Sequence, residues 1–333
     1  MRSGTEQKLN RIWYGEERPG FALRALAPLY RAAHGVNRWI GLRRQPDDLE
    51  QAYIIVVGNL TAGGSGKTPL VVRLCRLLAQ AGFRPGVVSR GYGREASGLR
   101  PVDPDSDPSE VGDEPLLIAR RADVPVVVAA DRCAAARHLL ARGVDVIVAD
   151  DGLQHYRLPR DIEICVVDGA RVFGNGRSLP AGPLREPVER LGSVDYIVVN
   201  GDPGVLSEPF TAVGMHMQGG VLRALDNDQS WRLSQFAGCR VNAVAGIGNP
   251  ERFFDLLRQA RIKVNPWPFP DHHAYALGDF APMDPELPLL MTEKDAVKCR
   301  SLGLDNAWCL EVEAVLPADW EAALLRRVIE DNA

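Results

Sequence analysis

A short apolar run that leads directly into a glycine-rich turn constrains this chain more than any other feature. Residues 53–57 read Tyr-Ile-Ile-Val-Val, a β-branched run typical of a buried strand. Residues 61–68 read Thr-Ala-Gly-Gly-Ser-Gly-Lys-Thr, and apolar residues at helical spacing follow from Leu70. A strand, a glycine-rich loop and a helix in this order are the context in which a phosphate-binding loop forms. The pattern therefore predicts a nucleotide site at this turn.

Backbone N–H groups at a helix N-terminus attract anions, and glycines let the backbone wrap closely around phosphates. Lys67 would reach the β- and γ-phosphates of ATP, and the Thr68 hydroxyl would hold Mg²⁺. The turn resembles the variant loops of dethiobiotin-synthetase-like and partition-ATPase-like proteins, although partition ATPases carry a second lysine where Ala62 stands. The predicted nucleotide-contacting residues are Thr61, Ala62, Gly63, Gly64, Ser65, Gly66, Lys67 and Thr68.

Two adjacent carboxylates end another apolar run. Residues 144–149 are mostly Val, Ile and Ala, and Asp150 and Asp151 follow them before a glycine. Asp-Asp-Gly alone is a common turn sequence. In phosphate-loop enzymes, however, an acid at the tip of such a strand supports the Mg²⁺ that bridges the phosphates. The upstream glycine-rich loop therefore favours a functional interpretation of these acids.

Other candidates each have a structural alternative. Asp113 begins a helical run, so it is either an N-cap or the proton acceptor for an attacking hydroxyl. Arg90 and Arg94 lie on a glycine-rich loop that follows a strand, where arginines either bind phosphate or are simply solvated. His272 follows an aspartate, which allows an Asp-His dyad or a histidine with a structural hydrogen bond. Residues 291–295 have Glu293 where a guanine-reading motif requires lysine, which argues against a GTPase.

Strand-like and helix-like runs alternate along most of the chain. Continuous Val and Ile runs separated by helices predict a parallel sheet covered on both faces. We therefore expect an α/β protein: a P-loop, doubly wound, mostly parallel sheet over residues 46–208, and a smaller α/β domain over residues 237–333. Short runs with turn residues between them predict a two-stranded antiparallel linker over residues 209–236. Residues 101–110 are acidic and proline-rich, which predicts a loop.

Residues 1–45 form a basic, amphipathic N-terminal region. They contain nine Arg or Lys and three Asp or Glu, although the whole chain carries a net charge of −4. Arg24, Arg31 and Arg38 recur every seven residues, so on a helix they share one edge. Such a helix either lies in a membrane interface or packs on the body with solvated arginines. Pro28 predicts a kink or restart.

The cysteines constrain the compartment and the kind of site. The six cysteines are scattered and form no C-x-x-C pair. This pattern favours a reduced, cytosolic compartment and predicts neither disulfides nor a zinc cluster.

Taken in order, a set of motifs resembles the tetraacyldisaccharide 4′-kinase family, the lipid A kinases of Gram-negative bacteria. The set comprises the loop at 58–69, Ser-Arg-Gly-Tyr-Gly-Arg at 89–94, Gly-Asp-Glu-Pro at 112–115, Asp-Asp-Gly-Leu-Gln-His at 150–155, Pro-Leu-Arg-Glu at 183–186, Asp-His at 271–272 and Met-Thr-Glu-Lys-Asp-Ala-Val-Lys at 291–298. The resemblance implies transfer of the γ-phosphoryl group of ATP to the 4′-hydroxyl of a tetraacylated glucosamine disaccharide 1-phosphate.

The resemblance also implies residue roles. Asp113 would be the catalytic base, His272 would raise its effectiveness, and Asp151 would join them at the reacting centre. Thr68 and Asp150 would hold Mg²⁺. The substrate-contacting residues implied are Arg90, Arg94, Arg132, Gln154, Arg185 and Glu186.

A substrate with acyl chains favours the interfacial interpretation of the N-terminal region, and therefore a peripheral location on the cytoplasmic face of the inner membrane. Neither a nucleic acid nor an obligate protein partner is implied. Two alternatives remain open from the residues alone: a metal-trafficking or partition-type NTPase that works as a dimeric switch, and a soluble small-molecule kinase or ligase of the dethiobiotin type.

Overall fold

The computed structural model describes residues 2–50, 52–206, 208–227 and 229–332. Thirteen strands among them form one mostly parallel sheet. The strands are β1 (Tyr53–Gly58), β2 (Pro85–Ser89), β3 (Arg100–Val102), β4 (Val126–Val128), β5 (Val146–Asp150), β6 (Ile162–Asp168), β7 (Tyr196–Asn200), β8 (Val213–Ala224), β9 (Ser230–Arg232), β10 (Arg240–Ala245), β11 (Lys263–Pro268), β12 (Leu289–Thr292) and β13 (Ala307–Val315). The α-helices are α1 (Arg2–Tyr14), α2 (Phe21–Leu42), α3 (Lys67–Gln80), α4 (Pro108–Val111), α5 (Asp113–Ala122), α6 (Arg132–Leu140), α7 (Pro250–Gln259), α8 (Leu277–Phe280), α9 (Glu293–Cys299) and α10 (Ala318–Asp331).

The sheet runs β11-β10-β12-β13-β8-β7-β6-β1-β5-β2-β4-β3, and β9 pairs with β8. The central strand β1 is buried along its whole length because helices cover both of its faces. Ile55 and Val57 pack in a cluster with residues of α3 and α5, whereas Ile54 and Val56 pack on the opposite side with residues of α6. Alternating side chains of β1 therefore pack into two hydrophobic cores, one on each face of the sheet, which explains the unbroken apolar run. This arrangement confirms the predicted α/β fold class.

The strand β8 joins the two halves of the sheet. Its first residues, Val213–Met215 in register with Val198–Asn200, pair in parallel with β7, and the rest pairs antiparallel with β13. The sequence pattern predicted two short runs in place of this single strand. Its pairing with β13 continues past Gly219 with a shift of register between Glu311 and Val312. A Cβ at Gly219 would lie 2.9 Å from Leu256 of α7, so the glycine lets that helix pack closely.

The structure differs from the sequence-based expectation at three further places. The acidic loop predicted over residues 101–110 contains β3 and α4. The edge strand β11 carries prolines, which a sheet tolerates only at its edges, so the sequence gives no strand signal there. The helix α2 does not restart at Pro28 but continues through it, because the carbonyl that loses its partner, on Arg24, lies on an exposed turn.

Candidate active site

The glycine-rich loop connects β1 to α3, and two buried asparagine side chains hold its backbone by hydrogen bonds. Asn59 Nδ2 donates to the Gly63 carbonyl at 3.2 Å, and Asn200 Nδ2 donates to the Ser65 carbonyl at 3.1 Å. Gly63 and Gly66 have φ angles of +107° and +93°, which glycine adopts without strain. At Gly66 a Cβ would lie 2.4 Å from Asn200 Nδ2, so the close approach also requires glycine.

A second segment packs against the rim of this loop. The Ala62 N–H donates to the Pro183 carbonyl at 2.8 Å, and Thr61 forms an antiparallel bridge with Leu184. The Tyr14 hydroxyl of α1 donates to the Ala62 carbonyl at 3.2 Å. The N-terminal helix and the segment before Arg185 therefore fix one side of the loop.

The first residue of α3 faces the carboxyl end of β5. Lys67 Nζ lies 3.5 Å from Asp151 Oδ1. Burial alone raises the pKa of Asp151, but the Lys67 and Arg185 cations outweigh burial and hold that pKa below its usual range. Asp150 differs, because burial and the nearby Glu114 and Asp151 carboxylates raise its pKa. Parallel strands end at the same edge of the sheet, which is why these groups meet there.

Asp150 and Thr68 fit a divalent cation. The Ser89 hydroxyl donates to Asp150 Oδ2 at 3.1 Å, whereas Asp150 Oδ1 is buried and has no hydrogen-bond partner among the residues that the structure describes. Thr68 lies in the first turn of α3, next to Lys67. A carboxylate oxygen that has no partner among the described residues and a threonine hydroxyl are hard oxygen ligands of the kind that Mg²⁺ prefers.

Arginines and a glutamine surround Asp151. Arg185 Nη1 lies 3.0 and 2.9 Å from the two carboxylate oxygens of Asp151, and Arg132 Nη2 donates to the Asp151 carbonyl at 3.1 Å. Burial lowers the pKa of Arg132, and its Nε has no partner within the described part of the chain. Gln154 Nε2 donates to Glu186 Oε1 at 2.8 Å. The structure thus brings together five of the residues predicted to be catalytic or to contact substrate: Arg132, Asp151, Gln154, Arg185 and Glu186.

Glu186 is nearly fully buried within this group. Its carboxylate accepts hydrogen bonds from Gln154 and from the Tyr156 hydroxyl, and Arg190 Nε lies 3.6 Å away. These contacts occupy both carboxylate oxygens. Glu186 therefore orients Gln154 and the segment that carries Arg185, and the substrate contact expected for it from the sequence stays a prediction.

Asp113 faces the second half of the chain. The α5 helix begins at Asp113 and its N-cap is Gly112, so the capping role considered for Asp113 is wrong. Asp113 Oδ2 lies 3.3 Å from His272 Nδ1 and 3.9 Å from Lys298 Nζ. The neighbouring His273 points elsewhere and pairs with Asp279 at 3.0 Å.

Two lysines of α9 complete this cluster, and sequence reasoning assigned them no role. Lys294 Nζ donates to Glu114 Oε1 at 3.0 Å and to Asp271 Oδ1 at 3.2 Å, and it lies 3.3 Å from His272 Nε2. Burial lowers the pKa of Lys294, but Glu114 and Asp271 outweigh it and raise that pKa above its usual range. Lys294 and Lys298 are four residues apart on one helix, a spacing that places both on one face and that could have been read from the sequence.

The two arginines of the loop after β2 differ in position. Arg90 lies close enough to Arg132 to contribute to the lowered pKa of Arg132. Arg94 folds back on its own loop, where Nη2 donates to the Gly98 carbonyl at 2.7 Å. The structure therefore brings Arg90 towards the site and holds Arg94 within the loop.

The helix α2 is exposed over most of its length. Among its residues only Gly41 is buried, and a Cβ there would lie 2.6 Å from Tyr156 Cβ. Arg38 and His34, one and two turns earlier, also contact the Tyr156 ring, so α2 meets the body along the face of its second half that carries these residues. Its exposed large apolar side chains are Phe21, Leu26, Leu29, Val36, Trp39 and Leu42. No helix within the described ranges is long and apolar enough to cross a bilayer.

Comparisons with known proteins identify the family of this chain. The sequence model of the family described as tetraacyldisaccharide-1-P 4′-kinase matches residues 20–329. The tetraacyldisaccharide 4′-kinase of Nitrosococcus oceani is 46% identical over 325 residues, which are 95% of this chain and 92% of the relative. The enzyme of the same name from Alkalilimnicola ehrlichii is 50% identical over 300 residues, 88% of either chain.

A solved structure shares the fold of this chain. The crystal structure of the "apo" form of LpxK from Aquifex aeolicus, in complex with ATP, superposes with a TM-score of 0.74 at 28% identity. The superposition covers 92% of this chain and 98% of that one. Family match, relatives and shared fold together show that this chain belongs to the tetraacyldisaccharide-1-P 4′-kinase family.

Proposed function

We propose that this protein transfers the γ-phosphoryl group of ATP to the 4′-hydroxyl of a tetraacyldisaccharide 1-phosphate, in lipid A biosynthesis. The observation that carries the proposal is that three groups lie close together, since Glu114, the neighbour of Asp113, is near enough to Asp150 to raise its pKa. The three groups are the glycine-rich loop with Lys67, the Asp150–Asp151 pair, and Asp113 with His272. Together they supply a phosphate cradle, a candidate cation site and a proton acceptor.

Residues 61–68 would bind the triphosphate through backbone N–H groups, and Lys67 would neutralise charge on its outer phosphates. Arg132 and Arg185 would add positive charge beside Asp151. Phosphoryl transfer depends mainly on positioning and charge stabilisation, and the contacts around Asp151 hold these cations in place before substrate arrives.

Asp113 would accept the proton of the attacking 4′-hydroxyl. As the hydroxyl oxygen bonds to the γ-phosphorus, the bond between that phosphorus and the β,γ-bridging oxygen breaks and ADP leaves. His272 and Lys298 approach Oδ2 of this carboxylate, whereas Oδ1 has no partner in the described part of the chain and is available for the proton. The Asp113 side chain is 13% exposed, which leaves it reachable from a cleft.

Mg²⁺ bound by Thr68 and Asp150 would neutralise charge on the β- and γ-phosphates. Asp150 Oδ1, which has no hydrogen-bond partner among the described residues, supports this assignment. The Ser89 hydroxyl on the other oxygen would fix the carboxylate orientation.

The acyl chains of the acceptor require access to a membrane surface. The exposed apolar side chains of α2, interleaved with Arg24, Arg31 and Arg38, support peripheral binding to an anionic leaflet, which we place at the cytoplasmic face of the inner membrane. We also propose a division of the chain into four parts. The membrane-associating region is residues 1–45 and the nucleotide-binding domain is residues 46–208. The linker is residues 209–236 and the C-terminal domain is residues 237–333.

The test is ATP turnover with and without a detergent-dispersed tetraacyldisaccharide 1-phosphate, with the phosphorylated position determined by NMR. We expect ADP release that depends on the lipid and a new 4′-phosphate on it. Equal ADP release without the lipid would refute the proposal and favour a nucleotide-hydrolysing switch.

A further inference from the structure

We propose that Lys294 is a positioning residue that fixes the tautomer of His272, so that the imidazole carries its proton on Nδ1 and donates it to Asp113. The proposal rests on the proposed role of Asp113 as proton acceptor. It adds the reason why a histidine from the second half of the chain can orient that carboxylate.

His272 is held between two charged groups on different helices. Its Nδ1 lies 3.3 Å from Asp113 Oδ2 of α5, and its Nε2 lies 3.3 Å from Lys294 Nζ of α9. The residue has a φ of +58°, in the left-handed region that residues other than glycine seldom occupy, although histidine, like Asn and Asp, is found there more often than most. Contacts on both ring nitrogens hold the ring despite this local backbone strain.

The chemistry of the lysine decides which ring nitrogen is protonated. An ammonium group has three N–H donors and no acceptor, so His272 Nε2 can only accept in this contact. A neutral imidazole that accepts at Nε2 carries its hydrogen on Nδ1. Nδ1–H then points at Asp113 Oδ2, which accepts, and Oδ1 stays available for the substrate proton.

Lys294 remains an ammonium because it is almost fully enclosed between two carboxylates. Its side chain is 14% exposed, and Nζ donates to Glu114 and Asp271. These same contacts aim its third N–H at the imidazole. The ring of Tyr92 also lies beside the imidazole, with the two ring centroids 5.1 Å apart.

Asp271 is the competing acceptor when the lysine is removed. Its Oδ1 lies 3.8 Å from His272 Nε2, beyond hydrogen-bond distance while Lys294 lies between them. Without the ammonium, an Nε2–H would turn towards Asp271. The Nδ1 lone pair would then face Asp113 Oδ2, and the repulsion between two acceptors would turn the carboxylate away.

The experiment is ¹⁵N NMR of the full chain labelled at histidine, recorded above pH 7.5 through two-bond couplings to the ring protons. The His272 resonances are assigned by their absence in His272→Gln. We expect a pyrrole-type Nδ1 and a pyridine-type Nε2 in the wild-type protein. In Lys294→Met we expect Nδ1 to become the pyridine-type nitrogen and Nε2 the pyrrole-type nitrogen. We also expect kcat to fall by about 10- to 100-fold, as for the loss of other orienting partners. Lys294→Arg, which can still donate, should keep the wild-type pattern.

Lys298→Met is the matched control. It removes the other ammonium near Asp113, at 3.9 Å from Oδ2, but leaves the imidazole contacts in place, so the Nδ1–H tautomer should persist. A pyridine-type Nδ1 in the wild-type spectrum overturns the proposal even if Lys294→Met does not fold. An unchanged pattern in folded Lys294→Met overturns it too. Neither result bears on lipid-dependent ATP turnover, which tests the proposed function separately.

Discussion

Lys67 Nζ and Asp151 Oδ1 lie 3.5 Å apart, and this pair joins the first turn of α3 to the carboxyl end of β5. Asp151 has a φ of +48°, a conformation that few residues other than glycine, Asn and Asp adopt. Its carboxylate also accepts from Arg185. The pair therefore holds the cation that would meet the outer phosphates, and it links that cation to the acceptor side of the site.

Replacing Asp151 with Asn should lower kcat by at least ~10²-fold, because Lys67 and Arg185 lose the charge that positions them. Asparagine tolerates the positive φ, so the thermal midpoint should change little. Steady-state kinetics with the lipid acceptor measure the effect. Asp105→Asn, at an exposed loop residue, is the control. A kcat within threefold of wild type for Asp151→Asn would show that the pair is structural only.

Replacing Asp113 with Asn should lower kcat by at least ~10²-fold while ATP binding is retained, since the amide cannot take the substrate proton. Calorimetric titration with ATP and turnover assays separate the two effects. Asp123→Asn is the matched control, because Asp123 is exposed at the other end of α5 and its φ of +52° suits asparagine. Normal turnover by Asp113→Asn would contradict its role as the base.

Neutralising Arg24, Arg31 and Arg38 to Gln should weaken binding to vesicles that contain anionic lipid by up to about 1 kcal/mol per arginine. The loss should be larger at low salt, because salt screens these charges. Vesicle sedimentation measures it. The control carries the same charge change at the exposed residues Arg177, Arg240 and Arg326. Equal binding by the two triple variants would argue that α2 does not contact the membrane.

Acidification should destabilise the protein partly through His155. Burial, reinforced by Arg132, lowers the pKa of His155 to about 4 from 6.5. Because the folded-state pKa is the lower one, this stability is present above pH 6.5 and is lost as the pH falls towards 4. Between pH 7 and pH 5 the wild-type protein should lose about 1–2 kcal/mol more free energy of unfolding than His155→Gln. Urea unfolding at both pH values tests this, and identical losses would contradict it.

Local sequence patterns determined much of the fold. The alternation of apolar runs and helical periodicity predicted β1, β5, α3 and the α/β class, because a strand buried on both faces has a composition that depends little on its partners. The glycine-rich loop was predictable for the same reason, since its φ angles and its helix are local properties. The strand β11 was not, because only its position at the edge of the sheet makes its prolines acceptable.

The pairing of groups from different halves of the chain was decided by the tertiary structure alone. The sequence marks Asp113 and His272 as candidates but gives no distance between them, and its local pattern at Asp113 favours a helix cap. Only the packing of α9 beside α5 places Lys294 between Glu114, Asp271 and the imidazole. Spacing along a chain fixes which residues share an element, whereas contacts between distant elements depend on how sheet and helices pack, and that packing sets the chemistry of the site.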